Sequence, residues 1–407
     1  METVPDVIVV GGGPCGSFAA FNLAKKSVNV TVFEEHAEIG VPSHCAGHLS
    51  IRGLKKLGMY PLPKDIVENV IYGVVFHSPC GESFSLRFPA PVTCSVNRVL
   101  FDKHLAKIAV NAGAHYFLRS KVESLAIESG RVCGVYVRQN GVTKKYAAKI
   151  VIDAEGVSSS LLRQAGLPTP VRSMIMTGVE AEVENVENVK RDMVEVFLGK
   201  EYAEGFFAWL IPQSNGCAKV GLASKTGNPQ KLLQKLMLTH PVASEELCRG
   251  KITRLSFHPL SLGGPPSQTY SNGFLAVGDA ASHIKPTTGG GVILGMNCAK
   301  IAADVAYMAL KKGDTSSAFL NAYQKECDSM LGFDISVMQR LRKMLNTLND
   351  RQVDKAIRFC KMINLDKSLQ KVEEIDFQGK AILKLLRDPR MLAALSYFVR
   401  LYLFANI

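Results

Sequence analysis

The sequence is poor in the features that mark several common protein classes. It has one tryptophan among 407 residues, and its ten cysteines include no Cys-x-x-Cys pair and no regular spacing. This pattern argues against structural zinc, so we expect no metal site, and it favours free thiols in a reducing compartment. The sequence also lacks zinc-finger spacing, an aromatic RNA-binding strand and a long basic arm, so we expect no nucleic-acid partner.

Long apolar runs are missing too. No stretch of about 20 apolar residues is present, so the sequence predicts no membrane-spanning helix. The chain leads within a few positions into the apolar stretch Asp6–Val10, without the flanking pattern of a secretory signal. We therefore expect a cytoplasmic protein, either soluble or peripheral on the inner face of the cell membrane.

Size and charge set further bounds. A hydrophobic content of 47% in 407 residues is enough for a large core and two domains. The formal net charge of +12 favours anionic partners, such as a phosphorylated ligand or a membrane surface.

Much of the positive charge lies in the tail. Residues 338–407 hold 14 lysines and arginines against 7 aspartates and glutamates. The leucine-rich and aromatic stretches Ala381–Arg387 and Met391–Phe404 predict helices separated at Asp388-Pro389. These helices form either a cap on a substrate domain or a surface that rests on anionic lipid, and both interpretations stay open.

A dinucleotide-binding pattern occupies the N-terminal region. The strand Asp6–Val10 runs into Gly11-Gly12-Gly13-Pro14-Cys15-Gly16, and a second strand, Asn29–Phe33, ends at Glu34 and Glu35. In such a site the glycines allow a tight turn, close approach of a pyrophosphate and tight helix–strand packing. The helix N-terminus supplies N–H donors, and Glu34 would accept hydrogen bonds from ribose hydroxyls, which favours FAD or NAD over NADP.

A second glycine-rich segment, Gly278–Val292 (GDAASHIKPTTGGGV), lies between the apolar run Phe274–Val277 and an alanine-rich helix, Met296–Leu310. FAD is longer than NAD and needs a second anchor for its ribityl chain and ring. Asp279 suits the ribityl hydroxyls, and the glycines from Gly289 let a flat ring lie against the backbone. The helix N-terminus behind them stabilises negative charge on reduced flavin.

Together with Asn97–Asp102 (NRVLFD) and Asp153–Ser160 (DAEGVSSS), these segments resemble the p-hydroxybenzoate hydroxylase-like FAD superfamily. Within it the chain is most similar to the archaeal geranylgeranyl reductases. The similarity is carried by Ile39–Gly47 (IGVPSHCAG), Gly205–Pro212 (GFFAWLIP) and the block His283–Gly291.

The chain departs from the reductase pattern at several positions. Gly47-His48 follows Cys45-Ala46 where Glu-Gly is usual, which leaves the local backbone path open. Phe207, Ile211 and Ser282 replace the usual Tyr, Phe and Gly. The stretch 207–212 is also similar to a flavin-halogenase motif, but the halogenase lysine is absent from the expected neighbourhood.

The resemblance implies an α/β fold with a Rossmann-type FAD-binding domain, an antiparallel-sheet substrate domain and a helical C-terminal region. The FAD domain is expected at 1–170 and 261–310, the β-rich substrate domain at 171–260 with part of 60–100, and the helical region at 311–407. FAD is the implied cofactor. The residues expected at it are Gly11, Gly13, Pro14, Cys15, Gly16, Glu34, Glu35, Cys45, Ala46, Gly47, Arg98, Val122, Asp279, Pro286, Gly289, Gly290, Gly291 and Val292.

The middle of the chain is interpreted as a substrate site. Partial alternation in 171–260 predicts a sheet that is wet on one face. Because strand residues two apart share a face, we expect Phe207, Trp209 and Ile211 on one face of a strand. They form either the wall of an apolar tunnel or an ordinary aromatic core. The residues expected at the substrate are Phe207, Trp209, Ile211, Pro212 and His48.

Cys45 is the predicted catalytic residue, as a thiol that tunes the flavin or donates a proton. A plain packing role stays open, because the pKa of a thiol cannot be read from the sequence.

The resemblance implies an FAD-dependent reductase that saturates isoprenoid C=C bonds in geranylgeranyl chains of archaeal ether phospholipid precursors. Hydride would pass from reduced flavin N5, followed by protonation. The alternatives are an FAD-dependent monooxygenase of an aromatic or apolar substrate, and a non-catalytic lipid carrier that retains FAD. The sequence has no second G-x-G-x-x-G, so the expected electron donor is external, either transiently bound NAD(P)H or a ferredoxin-like protein.

Overall fold

The computed structural model describes residues 4–403, apart from the side chain of Asn215, and these fall into two compact units. The first unit contains the residues up to Ser43 together with Arg98–Met174 and Ser261–Ile335. The second contains His44–Asn97, Ile175–Leu260 and the residues from Ser336. The predicted domain bounds differ from these units at 44–97 and 311–335 and stay a prediction.

Strands predominate up to residue 276, and helices follow from there to residue 403. The strands are β1 (Val7–Val10), β2 (Val30–Phe33), β3 (His48–Ser50), β4 (Val67–Ile71), β5 (Gly73–His77), β6 (Ser83–Arg87), β7 (Thr93–Val96), β8 (His115–Phe117), β9 (Lys121–Glu128), β10 (Arg131–Gln139), β11 (Val142–Ala147), β12 (Ile150–Asp153), β13 (Ile175–Glu184), β14 (Met193–Phe197), β15 (Ala208–Pro212), β16 (Ala218–Ser224), β17 (Lys251–Ser261), β18 (Tyr270–Ser271) and β19 (Phe274–Ala276). The helices are α1 (Pro14–Ala24), α2 (Ile51–Lys56), α3 (Arg98–Asn111), α4 (Ser160–Gln164), α5 (Lys200–Ala203), α6 (Pro229–Thr239), α7 (Ala243–Leu247), α8 (Val292–Lys312), α9 (Ser317–Thr347), α10 (Asp350–Met362), α11 (Asp366–Leu369), α12 (Gln378–Leu385) and α13 (Pro389–Leu403).

The first unit is built on a six-stranded sheet in the order β18-β19-β12-β1-β2-β8. All neighbours are parallel except β18, which pairs antiparallel with β19 at the edge. The central strand β1 is entirely valine and isoleucine and fully buried, as expected for a strand covered on both faces. Helix α1 packs against both α3 and α8, and a separate three-stranded sheet, β9–β11, adds to this unit.

The second unit is built on a seven-stranded sheet in the order β17-β13-β16-β15-β14-β5-β6. The pairs β13–β16, β16–β15, β15–β14 and β5–β6 are antiparallel, and β14–β5 is parallel. The mixed α/β class with antiparallel sheets and C-terminal helices is therefore as predicted. Two features were missed, namely helices α6 and α7 and the parallel strand pair.

The prediction that this sheet is wet on one face is wrong for β15 and β16. Every residue of β16 is buried, as are four of the five residues of β15. One face packs with Leu233, Leu236 and other residues of α6 and α7 in a large apolar cluster. On the other face, Ile211 of β15 packs with Ile71 of β4. Covering both faces removes the polar alternation that a half-solvated sheet would show.

The tail folds as helices α10–α13. Buried residues of α10, α12 and α13, including Ile357, Leu385 and Met391, form one apolar cluster with Phe84 of β6. The predicted boundary at Asp388-Pro389 coincides with the start of α13, whereas Phe404 lies outside the described residues.

The sequence predicted no helix long and apolar enough to span a membrane, but α8 meets both criteria. Among residues 4–403 this helix is long and apolar enough, by length and composition, to cross a bilayer. Most of its apolar window is buried within the protein, and it packs on α1. Core helices of globular units commonly share this pattern.

A cluster of buried ionisable groups lies in the second unit. His77 Nε2 and Glu195 Oε2 are 2.5 Å apart, and His240 Nε2 donates a hydrogen bond to the Ser78 carbonyl oxygen at 3.1 Å. Burial and the neighbouring charge of Glu195 raise the pKa of Glu246 to about 9. Burial lowers the pKa of His240 to about 4. At neutral pH the Glu246 carboxyl is therefore protonated and the His240 ring is neutral.

Replacing Glu246 with Gln should flatten the loss of stability between about pH 7 and pH 9. Over that interval the unfolded chain, with an ordinary glutamate pKa of 4.5, has lost its proton, while the folded chain keeps it. Rising pH therefore favours unfolding, and an amide removes this dependence. His240 has the opposite effect, because its pKa is lower in the folded protein than in the unfolded chain. That effect does not extend above about pH 7, because the ordinary pKa of the histidine is 6.5.

The measurement is the free energy of unfolding from urea titrations at several pH values. Glu184→Gln, which changes an exposed glutamate at the end of β13, is the matched control and should keep the wild-type pH dependence. An E246Q variant with the same slope as wild type would contradict the raised pKa.

Candidate functional site

The glycine turn after β1 is closed by main-chain contacts. Gly11 N–H donates to Phe33 O at 2.8 Å, and Gly11 has φ +94°. A Cβ at Gly11 would lie 2.4 Å from Ala154 O, and a Cβ at Gly16 would lie 2.0 Å from Gly11 O. Neither position has room for a side chain, so helix α1 and the end of β12 approach the turn at backbone distance.

Gly13 has the opposite surroundings. A Cβ there would meet no protein atom within 4 Å, so this position is open. Helix α1 starts at the next residue, Pro14, and no side chain caps its N-terminus. An open glycine at an uncapped N-terminus suits an anion, because the helix dipole and first-turn N–H groups point toward it. The residues present therefore fit the pyrophosphate of a dinucleotide.

Glu34 is held in place beside this turn. Its Oε2 accepts the Gly12 N–H at 2.8 Å, and its Oε1 accepts the His36 N–H at 2.9 Å. The side chain is buried directly after β2, and its predicted contact with the ribose stays a prediction. Glu35 instead pairs with Lys121 at 2.8 Å on the surface, and this pairing lowers the pKa of Glu35.

Two predicted cofactor residues lie near these elements. Val122 is partly buried against the core cluster that contains Phe33 and Val137. Arg98 makes a forked pair with Asp102, with Nη2 at 3.1 Å from both carboxylate oxygens. Burial raises the pKa of Asp102, although the Arg98 charge opposes that rise. Asp102 thus orients the Arg98 guanidinium.

The second glycine-rich segment meets α1 closely. Asp279 lies in a single helical turn, Gly278–Ala281, directly after β19. A Cβ at Gly291 would lie 2.9 Å from Asp279 Oδ1, and a Cβ at Gly295 would lie 2.5 Å from Cys15 Sγ. The structure thus brings Cys15, Asp279 and the start of α8 together. Burial, with the nearby Asp279 charge, raises the pKa of the Cys15 thiol.

The loop before α8 folds back on itself. Lys285 N–H donates to Gly290 O at 3.2 Å, and Gly289 N–H donates to Lys285 O at 2.9 Å. Gly289 has φ +70°, and a Cβ at Gly290 would lie 2.8 Å from Lys285 Cε. Helix α8 begins at Val292 without a capping side chain. Pro286 and Val292 therefore bracket a compact turn that places an uncapped helix N-terminus at this site.

Asp153 is a buried acid at the carboxyl edge of the parallel sheet. Its Oδ1 accepts the Glu155 N–H at 3.0 Å, and its Oδ2 has no partner within the described residues. Burial raises its pKa well above the ordinary value, with the Glu155 charge adding to the effect. The sequence marked this residue only as part of a motif.

One group in the first unit could hold a metal ion. The ligand atoms of His283, Cys298 and Cys327 all lie within 4.8 Å of one another, and all three side chains are buried. Burial lowers the pKa of His283 to about 4 and raises that of the Cys298 thiol. A thiol that resists ionisation is a poor ligand, so we interpret the group as packed neutral side chains; the expectation of no metal stays a prediction.

The predicted flavin-side segment, Cys45–Gly47, belongs to the second unit. Gly47 O accepts the Val96 N–H at 2.9 Å, and Lys219 Nζ donates to Ala46 O at 3.3 Å. His48 is exposed on β3, with Nε2 at 2.6 Å from Thr93 Oγ1. The contact between Lys219 and this segment was not predicted. A lysine within the apolar stretch Ala218–Ser224 is unusual, and this could have drawn attention to it.

The structure brings together Phe207, Trp209 and Ile211, three of the residues predicted at the substrate. The rings of Phe207 and Trp209 meet edge to face with centroids 6.1 Å apart. Trp209 lies against Gly221, where a Cβ would come 2.4 Å from the indole, and its Nε1 donates to Glu180 at 3.3 Å. Trp209, Ile211 and Ala46 share one apolar cluster.

The edges of this wall differ from the expectation. Strand β15 begins at Ala208, so Phe207 precedes it, and Pro212 is buried at its end. Arg342 lies 4.4 Å from the Phe206 ring centre and donates to Gly205 O at 2.9 Å. Burial lowers the pKa of Arg342 to about 10. This arginine, distant in sequence, was not predicted.

Comparison with known proteins agrees with this geometry. Residues 5–331 match the FAD binding domain family. Digeranylgeranylglycerophospholipid reductase 2 of Methanopyrus kandleri is 33% identical over 86% of this chain and 88% of that protein. The reductase 2 of Methanothermobacter thermautotrophicus is 31% identical over 96% of this chain and 98% of its own.

Solved structures show the same relationship. A geranylgeranyl bacteriochlorophyll reductase-like protein from Thermoplasma acidophilum has a TM-score of 0.87 and 27% identity, covering 97% of this chain and 99% of its own. A flavin-dependent brominase, with a TM-score of 0.74 and 17% identity over 98% and 100% of the two chains, shares the fold alone. The cofactor is FAD, and the enzyme is an oxidoreductase acting on CH–CH groups. Similarity along almost the whole length means that the chain belongs to the digeranylgeranylglycerophospholipid reductase family.

Proposed function

We propose that this enzyme saturates double bonds in the geranylgeranyl chains of an archaeal ether phospholipid precursor. One arrangement carries the proposal: Ala46, next to Cys45, packs in the same apolar cluster as Trp209 and Ile211. An apolar, aromatic surface beside the predicted flavin-side segment suits an isoprenoid chain. The names of the relatives supply the substrate class.

FAD, when bound, supplies hydride from its reduced N5 to one alkene carbon, while the other carbon takes a proton. An unactivated alkene accepts hydride poorly, so the protein must hold it closely and keep water away. In this proposal Phe207 and Trp209 line the substrate, and the thiol of Cys45, which precedes Ala46 in the chain, donates the proton. Glu34, Arg98 and Asp279 orient the cofactor.

The second candidate is an FAD-dependent monooxygenase, which would use the same cofactor residues. This fold also supports other flavin chemistry, because a flavin-dependent brominase shares it. We also propose an external electron donor, NAD(P)H or a ferredoxin-like protein, because the sequence holds a single dinucleotide-binding pattern.

We further propose that the enzyme works on the inner face of the membrane, with α12 and α13 against anionic lipid. These helices expose Leu383, Leu392 and Val399, each about half accessible. Exposed Arg387, Arg390 and Arg400 accompany them. Apolar side chains beside arginines are typical of helices that lie at a lipid interface.

One prediction of this proposal concerns the product. Anaerobic enzyme reduced with dithionite and given a digeranylgeranylglycerophospholipid should yield lipids heavier by two hydrogen atoms per reduced bond, as mass spectrometry shows. Trp209→Ala should lower the rate by roughly tenfold or more at unchanged FAD content, because it removes the aromatic wall. Trp209→Phe, which keeps an aromatic ring, is the matched control.

Two results would contradict this function. An oxygenated product formed with NADPH and air would select the monooxygenase. Lipid binding by an enzyme whose flavin no donor reduces would select a lipid carrier.

Another prediction tests the glycine turn Gly11–Gly16 as the pyrophosphate site, which we call the cradle. Gly13→Ala should fold normally, since its Cβ meets no protein atom within 4 Å. It should nevertheless lose about tenfold or more in FAD affinity, because the methyl group occupies the path of the pyrophosphate. FAD released on denaturation is measured per protein, alongside thermal unfolding. Gly332→Ala, whose Cβ also meets nothing within 4 Å, is the control; a full FAD complement in G13A would contradict the assignment.

A further prediction concerns membrane binding. The enzyme should co-sediment with phosphatidylglycerol vesicles, less so at high salt, and only weakly with phosphatidylcholine. The triple variant R387Q/R390Q/R400Q should lose most of this binding, and L392S/V399S should weaken it. Leu238→Ser removes an exposed leucine of α6 and serves as control. Equal binding of wild type and triple variant would exclude the tail as the contact.

A further inference from the structure

Lys219 stands out because it is a charged residue in a completely buried strand. It lies on β16, every residue of which is buried, and only 5% of it is exposed. Its neighbours on the adjacent strands are Ile211 and Glu182. An ammonium group in such surroundings is tolerated only when its N–H donors are satisfied.

All three donors of Lys219 are used. Nζ lies 2.6 Å from Glu68 Oε2, 3.2 Å from Val96 O and 3.3 Å from Ala46 O. Glu68 Oε2 also accepts from Gln213 Nε2 at 2.9 Å and Ser95 Oγ at 3.2 Å. One buried ion pair thus ties β16 to β4, to the end of β7 and to the segment that precedes β3.

Two of these three contacts fix backbone. The Ala46 carbonyl lies between Cys45 and Gly47, and the Val96 carbonyl belongs to the residue whose N–H donates to Gly47 O. The Ala46 side chain packs with Trp209 and Ile211. The segment is therefore held by the ammonium on one side and by the aromatic wall on another.

We propose that Lys219 is a positioning residue that sets the backbone of Cys45–Gly47, and hence the Cys45 thiol, through the Ala46 carbonyl. This inference rests on the proposed function, in which that segment lies against the flavin. Lys219 acts through the main chain and needs no contact with substrate. Glu68 is its partner, because it neutralises the ammonium and holds it between the two carbonyls.

The physical alternative is that the ion pair only stabilises the fold. Removing one partner leaves a buried charge, which destabilises strongly, whereas replacing both partners is often neutral. A double replacement therefore separates the two roles. In E68Q/K219M no buried charge remains, and the amide oxygen introduced at position 68 can still accept from Gln213 and Ser95. The Ala46 and Val96 carbonyls, however, have lost their donor.

The experiment measures the alkylation rate of Cys45 by iodoacetamide, with peptide mass spectrometry, in the FAD-bound enzyme. The exposed Cys248 of the same unit gives the internal reference rate. We expect E68Q/K219M to unfold near the wild-type temperature, yet to alkylate Cys45 roughly threefold faster or more, because the segment opens more often. The flavin absorption spectrum should shift as well. Lys235→Met, which breaks the surface pair with Glu201 in this unit, should change none of these.

A wild-type Cys45 rate and flavin spectrum in folded E68Q/K219M would overturn the inference. If that variant does not fold, Lys219→Arg replaces it: the ion pair persists, but the planar fork displaces the donor from Ala46 O, and an unchanged Cys45 rate has the same meaning. A different pair of results would reject the reductase function instead. In that case the variant alkylates Cys45 faster, so Lys219 remains a positioning residue, but the wild-type enzyme forms no saturated lipid.

Discussion

The first unit depends on main-chain approaches that leave no room for a side chain. The oxygen of Gly11 is 2.0 Å from where a Cβ at Gly16 would lie, and Cys15 Sγ is 2.5 Å from the equivalent point at Gly295. These contacts fix helix α1, the turn after β1 and the start of α8 in one arrangement. Because the surface they form is backbone, it offers N–H groups and helix dipoles, which is what an anionic cofactor requires.

The second unit meets a different constraint, which is to hold backbone segments against an apolar wall. Two buried cations, which come from different segments of this unit, do this. Lys219 donates to Ala46 O, and Arg342 donates to Gly205 O just before Phe206 and Phe207. Each cation donates to a main-chain carbonyl of a segment that carries a predicted site residue. Breaking such a contact leaves both a charge and a carbonyl unsatisfied.

The sequence predicts local features of this structure better than distant ones. The cradle was predictable because its strand, glycines and Glu34 follow one another, and each glycine has a steric reason to be there. The Lys219–Glu68 pair joins residues 151 positions apart, and no periodicity links them. The coverage of β16 on both faces could not be read either, because helices α6 and α7 supply it from elsewhere in the chain. Glu35 illustrates the remaining limit: its neighbour Glu34 turns inward to Gly12, whereas Glu35 turns outward to Lys121.

Proton supply is the constraint that separates the candidate acids. Saturating an alkene needs a proton as well as a hydride, and the donor must hold its proton at neutral pH. Burial keeps His283 neutral, with a pKa of about 4, so this histidine is a poor source of protons although it belongs to the glycine-rich block. The Cys15 thiol keeps its proton firmly, because burial and Asp279 raise its pKa. His48 is exposed, and its Nε2 is engaged with Thr93 Oγ1. For the proposed mechanism we favour Cys45, because its neighbour Ala46 packs with the aromatic wall and accepts a hydrogen bond from Lys219.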